Sequence, residues 1–497
     1  MRRIVLSFAV LTTLLVSCKK DLLDINQDPN RATYSTPQLT TPIAIENAAR
    51  ISNTSYFGLA FWTGYWATSN GFAKPVETYT YNITSTFNSG TWDALYNNLA
   101  DFDYIEKQAT AQSFPLYQGI AKVMKAYDYH QLVDLWGDVP YTEALQGANN
   151  LAPKYDKGQM IYDDLVKQLD SAILIFKMPA TAGSINVPLE QEKTLLFTDI
   201  LDVNDPEASS AAYLQMWVKF ANTLKLKLLV QQSQINRDAY IKEELQGLTP
   251  ADFLGLGEDA LVNPGYSTAA AQLNPYYGAF YKSYQSSGDN YNSTVASDYA
   301  VTTYSNYNDP RIAYFYTQDP GATTYLGSVF GDPTGTAKAA TVGAPSLNAT
   351  GPAIIMTATE SLFLQAEAAQ RGYISADASQ LYRDAVLASF QFTGMESDAE
   401  AYLDQANPDI NWDMATDKIK LIITQKWFAL NGIDILAVYN DLRRTGYPNV
   451  PLSTDPNSLG KMPVRLFYPQ RETLLNTANV SAAGNVDVFT STVFWDK

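Results

Sequence analysis

Gly90-Thr91-Trp92-Asp93-Ala94-Leu95-Tyr96-Asn97-Asn98-Leu99-Ala100-Asp101-Phe102-Asp103-Tyr104-Ile105 carries the pattern that decides the fold. Trp92, Leu95, Leu99, Phe102 and Ile105 recur at steps of three or four, so they share one face of a helix. Pro115 then opens a partner helix in which Leu116, Ile120, Val123, Tyr127, Leu132 and Leu135 repeat the stripe. Gly137-Asp138-Val139-Pro140 stops it, because proline cannot continue a helix. Two apolar stripes joined by a short link bury each other, and the unit is a helical hairpin.

Working outward, the same pattern returns three times. Met160 to Phe176 pairs with Tyr213 to Gln232, Thr357 to Gly372 with Ala376 to Phe390, and Asp417 to Leu430 with Ile433 to Arg444, the last broken by Asn431-Gly432 as a cap. The pairs span about 90–136, 158–232, 357–391 and 416–445. Hairpins of this size resemble tetratricopeptide units, although long insertions between them leave no clean repeat period. Ahead of the first pair a helix is predicted from about Thr41 to Trp66, then a loop from Ala67 to Asn88.

Between the second and third pairs the composition changes. From Asn263 to Asn308 the charged side chains are Lys282, Asp289 and Asp298, while tyrosines crowd among Ser, Asn and Gly. Disorder favours charge over aromatics, so an insertion over about 263–350 is expected to be ordered, irregular and laid over the helices. The tail beyond Pro448 reads as surface-packed loops with minor strands. The fold expected is therefore mostly α: tetratricopeptide-like helix pairs in one body, a large loop-rich insertion and minor β strands.

Met1-Arg2-Arg3 and the apolar run Ile4 to Val16 form a secretory signal. The run is shorter than the roughly 20 apolar residues that cross a bilayer. Leu15-Val16-Ser17-Cys18 looks like a bacterial lipobox, so residues 1–17 read as a signal peptide, Cys18 as the lipidated first residue, and 18–40 as a tether. Residues 41–497 read as one domain. Two or three acyl chains hold a membrane far better than one.

Composition excludes several functions. The net charge of −17 argues against nucleic acid. Cys18 is the sole cysteine and His130 the sole histidine, so zinc signatures and cysteine nucleophiles are missing. No Gly-x-Ser-x-Gly or phosphate loop occurs, and His130 on a predicted helix reads as a partly buried, hydrogen-bonded residue. Asp202, Asn204, Asp205 and Glu207 lack the glycine and spacing of an EF-hand and read as a solvated turn. No cofactor or metal is implied. A glycosidase would need only two carboxylates at a suitable separation, but no pair stands out. The 33 tyrosines against 17% charged residues suit flat, wet, ring-shaped ligands as well as interfaces.

Several stretches together resemble the SusD-like (SusD/RagB) nutrient-binding outer-membrane lipoproteins of Bacteroidetes. They are Leu132 through Ala144, Trp217 through Leu226, Asn308-Asp309-Pro310-Arg311, Glu360 through Gly372, Thr424-Gln425-Lys426-Trp427, Arg443 through Pro448 and Tyr468-Pro469-Gln470. The resemblance implies a helical body that lids a SusC-like TonB-dependent transporter, faces the exterior and binds without cleaving. The implied ligand is a glycan. Peptides or another nutrient are the alternative on the same scaffold, and a lipid-anchored glycan hydrolase is the alternative of another class. It also implies an aromatic platform built from the loop after the first helix and the insertion. Here those stretches supply Trp66, Asn70 and Phe72, and Tyr276, Tyr277, Asp289 and Tyr291. For Trp66, four residues after Trp62, a place on a helix's apolar face competes with a role in the platform. Arg443 and Arg444 suit the negative end of their helix, with a paired-arginine anion site as the alternative.

Cys18→Ser is expected to release the chain from the membrane without unfolding it, since no disulfide is lost. Labelled-palmitate incorporation into the parent checks the anchor, and an unmodified Cys18 would refute it.

Overall fold

The computed structural model describes residues 35–178, 195–202, 204–269, 271–343 and 348–496. The signal segment, Cys18 and most of the tether lie outside them. About 53% of the described residues are helical and 6% are strand.

The elements used below follow in chain order. The first half contains α1 (Pro37–Thr54), α2 (Phe57–Trp62), β1 (Trp66–Thr68), α3 (Ser89–Gln112), α4 (Pro115–Trp136), α5 (Gly158–Phe176), α6 (Pro206–Gln231) and β2 (Ala260–Val262). The insertion contributes α7 (Pro275–Phe280), β3 (Tyr281–Ser283), β4 (Ser286–Ser287), α8 (Asp289–Ser293), β5 (Thr294–Ala296), α9 (Asp298–Asn306), β6 (Tyr316–Thr317) and β7 (Thr341–Val342). Then come β8 (Ala353–Met356), α10 (Ala358–Gln370), α11 (Ala378–Phe392), α12 (Lys418–Ala429), α13 (Ile435–Thr445), α14 (Gln470–Leu475) and α15 (Thr477–Ala483).

The predicted stripe of α3 is buried from Trp92 to Ile105 and packs along α4. Each helix then leans on the next, α4 on α5 and α5 on α6, and α10 packs with α11. Side-chain caps fix the starts: Asp205 on α6, Thr357 on α10, Asp377 on α11, Asp417 on α12 and Asp434 on α13 each accept from a backbone N–H of the first turn. Gly446, at φ 76°, ends α13 in the left-handed conformation that glycine adopts without strain. The fourth pair differs in kind, since α12 lies mainly along α10 and α13 reaches across to α2.

Three expectations are corrected. The first helix ends at Thr54, a second short helix ends at Trp62, and Trp66 starts a strand instead of finishing a helix. The turn is made at Gly64, φ +80°, where a Cβ would come within 2.7 Å of Val450 Cγ1 and 2.9 Å of Tyr299 Cδ1. The tail has two short helices and, among the described residues, no strand. It is also no mere surface cover: Trp495 is buried, and its Nε1 donates to Asp134 Oδ1 at 3.0 Å. The insertion is ordered as expected, but around a sheet of four antiparallel strands in the order β1-β5-β7-β6. The strand from the first half of the chain forms its edge.

The helices are joined by buried ions. Arg444 donates to Glu367 at 2.5 and 2.8 Å and to Asp441 at 2.8 Å, and Lys426 reaches the other Asp441 oxygen at 3.0 Å. Lys227 of α6 bridges Glu360 at 2.8 Å and Asp434 at 2.9 Å. Arg443 is spent on the carbonyls of Val464 and Asp134 and on Asn440. Both arginines are thus structural, and the anion-site alternative is not supported.

Burial pushes the Glu367 carboxyl up, but Arg444 and then Arg371 outweigh it and hold it at about 2. Because the folded value is depressed, this group's stabilisation is present above the ordinary carboxylate range and is lost as pH falls toward 2. It amounts to about 3 kcal/mol. Arg444→Met leaves two buried carboxylates short of a cation and is expected to cost about 3–5 kcal/mol in urea unfolding at pH 7. A loss below about 1 kcal/mol would remove the network from its structural role.

Candidate functional site

Pairing of β1 with β5 brings together the two stretches expected to form the platform, with Trp66 opposite Ala296 and Thr68 opposite Thr294. The link continues past the strand, where Ser69 N–H donates to the Ser293 carbonyl at 2.8 Å. Between them lies a cleft of about 320 Å³. Phe57 and Phe61, one turn apart on α2, line it together with Trp66 and Phe280. The rings meet edge-on or tilted: Phe57 to Trp66 at 5.3 Å and 59°, Trp66 to Phe280 at 5.7 Å and 87°. At the mouth, Lys74 donates to the Ser69 carbonyl at 3.1 Å and Asn290 to the Ala279 carbonyl at 2.8 Å. Partial burial lowers the Lys74 pKa, and nearby Asp332 opposes that shift.

Beside the cleft, tyrosines of the same segment stack. Tyr277 lies parallel to Tyr281 at 4.2 Å and 9°, and Tyr281 lies 4.9 Å from Tyr291. Tyr284, 6.5 Å from Tyr277, is 47% exposed. This ladder presents aromatic surface to solvent on a short hairpin, β3–β4, closed by the Gly288 N–H donating to the Phe280 carbonyl at 2.8 Å.

The sequence-predicted residues separate by environment. Trp66 is 1% exposed and lines the cleft from within the core, and among the described residues its Nε1 has no hydrogen-bond partner. Tyr276 is buried with Phe280 stacked on it at 5.4 Å and the Phe57 ring edge-on at 5.3 Å, so it braces the wall from behind and leaves no face free. Tyr277 is also buried, and its hydroxyl accepts from the Gln285 N–H at 3.0 Å. Tyr291 is half-buried in the ladder. Phe72 is 41% exposed, and Asn70 ties its loop to the Thr334 carbonyl at 3.1 Å. Asp289 opens α8, and its side chain lies outside the described residues. Exposed ring surface is therefore found at Phe72 and Tyr284, and in part at Tyr291, rather than at Trp66 or Tyr276.

Sequence reasoning did not single out Phe57, Phe61, Lys74, Phe280, Tyr281 or Asn290. Phe57 and Phe61 at i, i+4, and Tyr276 and Phe280 at the same spacing, were the available signal. It was indistinguishable from a core pattern, because these rings do both.

Acid–base and metal chemistry find little purchase. His130 is buried, and desolvation pushes its pKa down to about 3, so it stays neutral. Among the described residues no group of three or more His, Cys, Asp or Glu could hold a metal. Asp202 accepts from the backbone and side chain of Asn204, and Asp205 caps α6.

A profile of the SusD-like family described as "Starch-binding associating with outer membrane" matches residues 28–469. The chain belongs to the SusD-like family. No match is found among curated proteins. Solved structures with the same fold include a SusD homolog from Bacteroides fragilis, 20% identical, with TM-score 0.73 over 93% of this chain and 100% of that one. A chitin-binding SusD homolog from Flavobacterium johnsoniae is 22% identical, with TM-score 0.73 over 92% and 98%. A SusD-like protein from Bacteroides thetaiotaomicron is 23% identical, with TM-score 0.71 over 89% and 95%.

In this SusD-like chain the motifs that carry the resemblance are framework. Arg311 is fully buried, pairs with Asp309 at 2.6 Å, donates to Ser389 at 2.7 Å and lies over the Phe390 ring at 4.6 Å. Trp136 is buried and donates to the Phe467 carbonyl at 3.0 Å. None of these residues lines the aromatic cleft.

Replacing a core ring costs far more than replacing an exposed one. Trp66→Ala is expected to lose about 3–5 kcal/mol of unfolding free energy and Phe72→Ala no more than about 0.5 kcal/mol, both from denaturant curves. Equal losses would mean that Trp66 is not the core member placed here.

Proposed function

We propose that this SusD-like protein is anchored through Cys18 at the outer face of the outer membrane. There it captures an oligosaccharide at the aromatic cleft and tyrosine ladder and hands it to a SusC-like TonB-dependent transporter. The observation that carries the reading is the meeting of the α2 loop and the insertion around one aromatic cleft with an amide and an ammonium at its mouth. Sugar rings present C–H faces to aromatics and hydroxyls to such donors, so apolar walls with a few polar groups suit them. The starch-binding description of the family and the chitin-binding neighbour favour a glycan over a peptide. No described residue lining the cleft is a carboxylate, so the acid pair of a glycosidase is not assembled from those residues.

Titration calorimetry of the full chain with maltohexaose and N-acetylchitohexaose tests capture. Tyr284→Ala and Asn290→Ala are expected to keep the fold and weaken binding. Loss of one stacking ring costs about 1 kcal/mol, roughly five-fold in affinity. If neither saccharide binds, or if both variants bind as the parent does, the cleft is not the site. Purification from native membranes in mild detergent is expected to bring the transporter along, and a protein that comes down alone would remove the handover step.

A further inference from the structure

A larger cleft, about 470 Å³, lies beyond Phe330, whose ring touches Phe61 of the aromatic cleft at 6.2 Å. It is built on α9. Asp298, Thr302 and Asn306 recur every four residues and so share one face of that helix. Among the described residues none of these three side chains has a hydrogen bond or ion pair. The lining from outside α9 is mainly apolar: Phe330, Pro451, and the exposed Val329 and Leu452 (40% and 45%), with Thr454, whose hydroxyl donates to the Phe330 carbonyl at 3.1 Å. Tyr299 stands at the floor, held edge-on against Trp427 at 5.6 Å.

The cleft is stiff for a surface feature. Ser297 N–H donates to the Tyr65 carbonyl at 2.9 Å, Thr454 N–H donates to the Phe330 carbonyl at 3.0 Å, and a Cβ on Gly331 would strike the Thr454 nitrogen at 2.2 Å. Asp298 N–H donates to the Ser328 carbonyl and Ser328 N–H to the Ala296 carbonyl, both at 2.9 Å, so α9 and the Phe330 segment are tied to the sheet and to each other. A helix face of uncommitted hydroxyl, amide and carboxylate groups together with a mainly apolar lining matches a sugar, which has hydroxyl edges and a C–H face. The volume falls in the range of small-ligand pockets. Among the described residues Asp298 is the only charged one lining the cleft, and it stands on a chain of net charge −17, so an anionic ligand is disfavoured.

We infer that this α9 cleft is a second saccharide site, separate from the aromatic cleft, that takes neutral oligosaccharides and rejects carboxylated ones. The inference stands on its own residues and does not require the first cleft to bind.

The test titrates the full chain with cellohexaose, xylohexaose, maltohexaose and N-acetylchitohexaose as neutral probes and tetragalacturonate as the anionic one. At least one neutral probe is expected to show a binding component that Thr302→Trp, which fills the cleft, abolishes and that Tyr284→Ala leaves alone. Leu452→Ser and Asn306→Ala, both at solvent-facing positions, are expected to weaken that component about five-fold with unchanged circular dichroism, which guards against a folding defect in Thr302→Trp. Tetragalacturonate is expected not to compete for it. A component insensitive to all three α9-cleft variants, or absent with every neutral probe, overturns the proposal, and so does equal competition by tetragalacturonate. A component lost only in Tyr284→Ala would support the aromatic cleft and overturn this one.

Discussion

Arg444, held between Glu367 and Asp441, is the contact on which the placement of the binding surface depends. Buried ion pairs add little net stability but are costly to break, and each satisfies its partners in one arrangement only. Through Asp441 and Lys426 the contact fixes α12 against α13, and through Glu367 it fixes both to α10. The next residue of α12 after Lys426 is Trp427, whose Nε1 donates to the Thr63 carbonyl at 2.8 Å, while Tyr65 stacks on its ring at 4.9 Å and donates to its carbonyl at 2.7 Å. Tyr65 leads directly into β1. The ion network therefore sets where β1 lies, β1 sets where the insertion docks, and that docking creates both clefts.

Tyrosine serves this docking more than it serves any ligand. Tyr304 donates to the Phe428 carbonyl at 2.8 Å, Tyr316 to the Tyr65 carbonyl at 2.9 Å and Tyr382 to the Ile410 carbonyl at 2.6 Å. Each buried phenol finds a backbone carbonyl, that of Phe428 in the last turn of α12 and that of Tyr65 shared with the Ser297 N–H, and its ring fills space between segments. A chain with long non-repetitive insertions and few charges needs such residues. The tyrosine excess thus reflects the irregular insertion first, with Tyr281, Tyr284 and Tyr291 the exception at its surface.

The helix pairs were legible because each buries a stripe along its whole length, and the stripe survives in sequence as steps of three and four. The caps were legible for a similar reason: Asn431-Gly432 and Pro140 act locally. The four-stranded sheet was not legible. Its strands are two or three residues long and are paired across gaps as wide as that between Trp66 and Ala296, too short for an alternation to show. Trp66 shows the cost. Its spacing from Trp62 suggested helix, yet Gly64 breaks the chain between them, and a long-range partner decides the conformation.

What the sequence determined alone is the class of the molecule and its likeness to a nutrient-binding family: helical hairpins from hydrophobic period and framework motifs spread over the chain. The tertiary structure decided which aromatics face solvent. Trp66, Tyr276 and Tyr284 look alike in the sequence, each an aromatic in a low-charge stretch. One lines a cleft from the core, one braces it and one stands in water. Exposure depends on what packs against a ring from distant parts of the chain, and no local pattern encodes that.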